Sequence, residues 1–537
     1  LLFSPGGGKY LPHRSRIFWS LIVFAAIFGI TAFTGINFYQ SFWGNLERMG
    51  GWFTFVHYLV FFVIASSILK TKEEWLSLIK ISIFVSLLST LYGLLQKTSV
   101  DWVIGSGGRM KIFGTIGNPA LFAGYTIINA FLALMMYFRP EVSRNGKYFY
   151  SAVFLLNLVA VFLTGVRGSV LGLVIGLLVF GFLSGSVRAR KISFAFLSLI
   201  LLSAAALYFL RDAGFVQKNQ YLARYSDFSP TTRTVKTRIW AWQAGINGWN
   251  DSLKTMVLGF GPENFIYPFS FHFNPKFYMG PGSETSFDRA HNMFIEVLVT
   301  MGILGLAAYI FIFVAAFGSV KRILRENRIW GVGFIALLVA YMIHNSFIFD
   351  TSPNFIIFFT ALGLINFLDP KNKKLESQPQ KENGVLGTGL FVLALFLFVF
   401  TAFIIYRFNI KPSLANYTTT RAIIAFRNND DTEAIRKFSE ALKYDVPMKY
   451  EIRHRFAQYI VDKANQRGAT LDPKIIDALK LAAEYVEKNR VENPRDFLPP
   501  LFLARIYIML GKDDPKSAYN DKALENSLES LKISPTF

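Results

Sequence analysis

Five short stretches of the sequence hold side chains suited to chemistry on a strongly anionic substrate. The first joins Arg109 and Lys111 to Gly114, Gly117, Asn118 and Pro119. Asn118 suits an N-cap and Pro119 the first helical position, so a loop enters a helix there. The second, Thr164-Gly165-Val166-Arg167-Gly168-Ser169, is a tight turn between two apolar runs. The glycines serve the turn, but nothing about a turn requires Arg167, and a cation between spanning helices is costly unless paired. The third sets Arg233 and Arg238 near Trp240 and Trp242, with Arg238, Trp242 and Gly245 on one helical face by spacing. The fourth, Gly259-Phe260-Gly261-Pro262-Glu263-Asn264-Phe265, reads as a Gly/Pro turn with no strand before it to make a dinucleotide loop. The fifth, Asp288-Arg289-Ala290-His291-Asn292, opens an apolar helix. Glu296 lies near its first turn, and Met301-Gly302-Ile303-Leu304-Gly305 interrupts and bends it. A further pair, His344-Asn345, stands close to Asp350.

Guanidinium groups bind phosphate oxygens in pairs and stay charged at any physiological pH. Three or more arginines converging with one imidazole suit transfer away from a diphosphate leaving group, and a His beside carboxylates suits a proton acceptor near neutral pH. Each motif also has a plainer explanation. Arg109 and Arg167 can reach lipid phosphates, the 233–245 stretch can lie as an amphipathic helix on the outer leaflet, and His291 can simply cap its helix. Neither a DxD pair nor HExxH occurs in the external segments, so a required metal is not implied, nor is a cofactor. With no cysteine, thiolate chemistry is excluded.

The elements that must position these residues are apolar helices. Of 537 residues, 53% are hydrophobic and only 17% charged, well below the charge of a soluble domain. Eleven segments can span a bilayer: 17–34, 52–69, 75–96, 119–137, 148–164, 168–184, 192–210, 291–318, 329–349, 352–368 and 385–406. The loops on one face hold nineteen Lys and Arg, against five in the short loops on the other, the long 211–290 loop left aside. That bias marks the first face as cytoplasmic. All five motifs then fall on the external face. The net charge of +21 is therefore largely topological, and nucleic acid is not an expected partner. The fold class is all-α: a polytopic membrane helix bundle over 1–406, with an external loop at about 211–290, and an external helical domain over 407–537. In the latter, Leu503, Ala504, Tyr507 and Gly511, then Ala523, Leu524, Leu531 and Pro535, have the spacing of a tetratricopeptide unit. Ala434, Phe438, Ala441 and Pro447 echo it. A generic helical bundle is the alternative. The chain opens on Leu1 and stops at Phe537 inside this pattern, and both ends are read as truncated.

Taken in order, the motifs around Arg109 to Pro119, Thr164 to Gly168, Arg238 to Trp242, Gly259 to Phe265 and Ala290 to Gly305 resemble the O-antigen ligase and polymerase family of bacterial membrane glycosyltransferases, over roughly 40–370. The resemblance implies a metal-independent transfer from an undecaprenyl-diphosphate-linked glycan to an acceptor hydroxyl, outside the cytoplasmic membrane, with the C-terminal domain periplasmic. It implies that Arg167 and Arg238 hold the diphosphate and that His291 orients or deprotonates the acceptor. Arg109, Arg233, Asn292, Trp242 and His344 are expected around the substrate. The acceptor is a glycolipid, a glycan or a protein, the surrounding partner is membrane lipid, and the repeat tail suits a protein partner. Alternatives are an O-antigen polymerase, an O-linked protein oligosaccharyltransferase and, from another class, a lipid-linked sugar transporter.

Overall fold

A computed structural model describes residues 12, 14–105, 111–185, 187–226, 233–279, 286–372, 388–447, 449–467 and 472–536, and among them every regular element is helical. The membrane bundle is built from α1 (Arg16–Thr34), α2 (Trp52–Ile68), α3 (Lys72–Leu95), α4 (Pro119–Tyr137), α5 (Arg144–Leu163), α6 (Arg167–Leu183) and α7 (Val187–Phe209). After the loop helices α8 (Gln220–Ser226) and α9 (Arg233–Trp249) it continues with α10 (Met293–Glu326), α11 (Arg328–Asn345), α12 (Ser352–Leu368) and α13 (Thr388–Ile405). Each of the eleven expected apolar segments is therefore a helix. Among the described residues, seven are long and apolar enough to cross a membrane, and four more (α2, α6, 193–209 of α7, and α12) are apolar but shorter.

Local chemistry sets the helix ends. Thr71 and Glu74 form a capping box at α3. Asn118 caps α4 through the Ala120 amide at 2.9 Å, with Pro119 at the first helical position, as the sequence predicts. Inside the bundle, small residues let backbones approach. Gly172 and Gly176 of α6 face Ala340 of α11, where a Cβ would collide. Opposite ends of the bundle carry different ion pairs. Arg322–Asp369 and Arg139–Glu141 mark one end, while Arg48–Asp288 and Arg289–Glu263 mark the other.

The 211–290 segment is not a plain loop. It folds into short helices with a core of Phe265, Phe269, Phe277 and Phe287 that packs on Val299 of α10. There the bend expected at Met301–Gly305 is seen at Gly302, whose φ of 67° breaks the helical path. Gly302 and Gly259 (φ 69°) are backed by the Val257 and Thr300 backbones respectively, where side chains would clash. The Gly261 amide then donates to the Thr300 carbonyl at 2.7 Å. The glycines of the fourth motif thus serve close backbone packing.

The tail forms three antiparallel pairs: α14 (Lys411–Arg427) with α15 (Asp431–Lys443), α16 (Lys449–Arg467) with α17 (Pro473–Glu492), and α18 (Leu498–Gly511) with α19 (Ala518–Ile533). Ala434, Phe438, Leu503 and Ala504 are buried as the repeat spacing expects, but Leu524 and Leu531 are 61% and 50% exposed. The second helix of that unit packs through Ala523 and Asn526 instead. The tail rests on the bundle end that holds Arg48. Glu451 accepts from the Leu46 amide at 2.7 Å, and Ser534 donates to the Ser270 carbonyl at 2.7 Å.

Candidate active site

Arg167 is the first residue of α6, immediately after the Thr164–Val166 turn, and its buried Nε has no hydrogen-bond partner. Arg224 of α8 folds back onto the same turn and donates through Nε to the Gly165 carbonyl at 2.6 Å. Lys111 approaches from the loop before α4, its Cγ 3.5 Å from where a Cβ on Gly165 would stand. Arg238 of α9 donates to the Phe347 carbonyl at 3.2 Å, just beyond α11. These four cations feel one another. Burial and the charges of Arg224, Arg238 and Arg167 hold the Lys111 ammonium below its usual range. Burial and Arg167 likewise lower Arg224. A set of like charges gathered this closely is costly by itself and suits a polyanionic ligand.

His291 lies beside this cluster. Trp242, one turn after Arg238 on α9, donates its indole N–H to the Ala290 carbonyl at 2.6 Å. On the other side, the Ala290 amide donates to Glu296 at 2.7 Å, and Glu296 also accepts from Arg289 at 3.2 Å, while Arg289 pairs with Glu263. Ala290, the residue before His291, is thus held at both its amide and its carbonyl. His291 itself has φ 52°, a left-handed conformation uncommon for a side-chain-bearing residue. Its Nδ1 lies 3.2 Å from the Arg289 carbonyl. A carbonyl only accepts, so the proton belongs on Nδ1 and the lone pair on Nε2. Burial, then the Arg238 charge, pushes the imidazole down to about 4, so it is neutral and able to accept a proton at pH 7. The carboxylate neighbours expected to assist it are otherwise engaged: Glu296 holds Arg289 and Ala290, and Asp288 pairs with Arg48.

The remaining expected residues divide. Asn292 is the N-cap of α10, accepting from Phe294 and Ile295 amides at 3.0 and 3.2 Å. This is a structural use of a residue expected to touch substrate. Trp242 positions the 290 peptide. His344 is 1% exposed, with Nδ1 against the Ser169 hydroxyl at 2.9 Å, one layer beneath the turn that holds Arg167. Arg109 and the Arg233 side chain lie outside the described residues. Arg224 was not legible as a site residue, because its only sequence signal is a charge in a polar loop. Lys111 was visible only as the companion of Arg109.

Residues 152–310 match the family model described as O-Antigen ligase. No curated protein matches the chain. The matched stretch takes in Arg167, Arg224, Arg238, the 259–261 turn and His291 and leaves out Lys111, Arg48 and Asp350. The resemblance read from the motifs is borne out over this central part.

Proposed function

We infer that this chain is a multi-pass membrane glycosyltransferase of the O-antigen ligase or polymerase type, a reading supported by the match at 152–310 and by the apolar helices. The donor is a glycan joined through a diphosphate to undecaprenol, and the acceptor offers a hydroxyl on the external face of the bacterial cytoplasmic membrane. The observation that carries this reading is the convergence of Lys111, Arg167, Arg224 and Arg238 beside one neutral imidazole.

In the transfer, the acceptor oxygen bonds to the anomeric carbon as the bond from that carbon to the diphosphate oxygen breaks. The electron pair leaves with the diphosphate, and the hydroxyl proton passes to Nε2 of His291. Arg167, with an unsatisfied buried Nε, and Arg238 meet the charge growing on the leaving oxygens, supported by Lys111 and Arg224. An imidazolium beside Arg238 is unfavourable in the free protein. The bound diphosphate offsets that repulsion, so proton transfer becomes easier only when the donor is in place. Transfer to another lipid-linked glycan, or to a protein hydroxyl, uses the same site. A transporter would place its charges near the bilayer midplane, whereas these sit at one end of the bundle.

The test is the purified full chain in lipid nanodiscs with undecaprenyl-diphosphate-linked oligosaccharide and candidate acceptors. A single added block marks a ligase and a ladder of products a polymerase. Turnover unchanged by both His291→Ala and Arg167→Ala would rule out the mechanism.

A further inference from the structure

A cavity opens at the same end of the bundle, and none of the four cations lines it. It is partly open to solvent. One wall is polar: Arg48, Glu263, Arg289, Glu296, Asp350 and Thr351. The lining also includes the aromatic rings of Phe24, Phe55 and Phe355 from α1, α2 and α12. Three of the polar residues hold a buried atom with no hydrogen-bond partner: Arg48 Nε, Arg289 Nε and Thr351 Oγ1. Asp350 and Arg289 are only 7% and 9% exposed. Buried polar groups left unpaired are costly, and several lining one cavity point to a ligand that carries both donors and acceptors.

The charge of this wall differs from that of the diphosphate cluster. Arg48 is paired with Asp288, and Arg289 with Glu263 and Glu296. Asp350 accepts from Tyr341 and Asn345 at 2.7 Å each. Guanidiniums and carboxylates are mixed, so the cavity does not select a polyanion. It matches a sugar ring, whose hydroxyls donate and accept while its C–H face lies on aromatic rings. The cavity also adjoins the proposed base. The Arg48 and Arg289 guanidiniums stand 5.0 and 5.3 Å from the centre of the Phe349 ring, and the His291 ring stands 5.4 Å from it. One aromatic side chain separates the two.

We propose that this cavity is the acceptor subsite, binding a neutral sugar ring against Arg48, Arg289, Asp350 and Thr351, with the acceptor hydroxyl passing the Phe349 ring to reach His291. The assignment rests on the glycosyltransferase reading above. It divides the site into a cationic half for the leaving diphosphate and a mixed half for the incoming alcohol.

Two probes test it on the full chain in nanodiscs: methyl β-glucoside and dodecyl β-glucoside, each carrying a diazirine, with labelled residues located by mass spectrometry. Labelling is expected around Phe24, Met293 and Phe355. It should fall about tenfold in Asp350→Asn, the cost of one good hydrogen bond, and in Ser352→Trp, which fills the cavity. Thermal unfolding of both variants confirms that they fold. Equal labelling by the two probes identifies the ring alone as the ligand; labelling by the dodecyl probe only identifies a glycolipid. Absence of cavity labelling by either probe, labelling unchanged in both folded variants, or displacement by excess undecaprenyl diphosphate would overturn the subsite. Failure of the underlying reading shows separately, as undecaprenyl diphosphate binding that survives Arg167→Ala and Arg238→Ala.

Discussion

The Trp242 indole N–H donates to the Ala290 carbonyl at 2.6 Å, across 48 residues of sequence. This bond ties α9, which carries Arg238, to the peptide that precedes His291. Arg238 and His291, the residues proposed to stabilise charge and to accept the proton, are thereby tied together from distant segments. Trp242→Phe keeps the ring and removes the donor. The expected result is a fall in kcat of about tenfold, matching the loss of one hydrogen bond of roughly 1–1.5 kcal/mol, with undecaprenyl diphosphate binding unchanged. A fall in donor affinity instead would assign Trp242 to substrate binding.

Arg167 and Arg238 are expected to act on the leaving group. Arg167→Ala and Arg238→Ala should each lower kcat by about 10²–10³, the usual effect of removing a preorganised charge donor. Lysine at either position should recover little, since it lacks the two-pronged guanidinium geometry. Arg224→Ala should cost less, because its Nε is already committed to the Gly165 carbonyl. Steady-state kinetics on the five variants checks this order.

His291 should govern the acid side of the pH profile. Protonation removes the lone pair, so activity falls as pH drops through its pKa, which lies at about 4 in the free protein. Arg238→Gln removes a positive neighbour and therefore moves that pKa upward, toward the ordinary imidazole value. Modification of His291 by diethyl pyrocarbonate against pH reads the neutral fraction without relying on turnover. A midpoint unmoved by Arg238→Gln would mean that the two side chains are not electrostatically coupled.

Asp350 ties stability to pH. Burial pushes its carboxyl up to about 6 from 3.8. A raised folded-state pKa means that the stability it contributes is fully present below about 3.8 and is lost as pH rises through 6. Asp350→Asn should therefore be more stable than the parent chain at pH 7.5, by roughly 1–3 kcal/mol. The difference should close by pH 4. Thermal unfolding of the two proteins across that range tests the sign.

Gly302 should tolerate no side chain. Its φ of 67° is strained for any other residue, and a Cβ there would meet the Val257 carbonyl. Gly302→Ala should cost roughly 1–3 kcal/mol and loosen the 259–261 turn, seen as a lower Tm and faster hydrogen exchange in 257–265. Exchange unchanged in that segment would separate the bend from the turn.

The eleven helices, the alternation of their loops and the chemistry-bearing types at Arg167, Arg238 and His291 were legible from the residues alone. Hydrophobic length and loop charge are properties of contiguous sequence, so they survive without knowledge of packing. Asn118 and Pro119 likewise announced a helix start through local backbone chemistry. The membership of the site was decided elsewhere. Arg224 joins Arg167 because α8 folds back onto the 164–166 turn. Glu296, which seemed available to His291 by spacing, is held by Arg289 and the Ala290 amide. Arg48 and Asp350, 302 positions apart in sequence, line one cavity because α1, α10 and α12 converge at one end of the bundle. Which charges end up paired, buried or left facing a cavity depends on distances between remote segments, and only tertiary packing sets those.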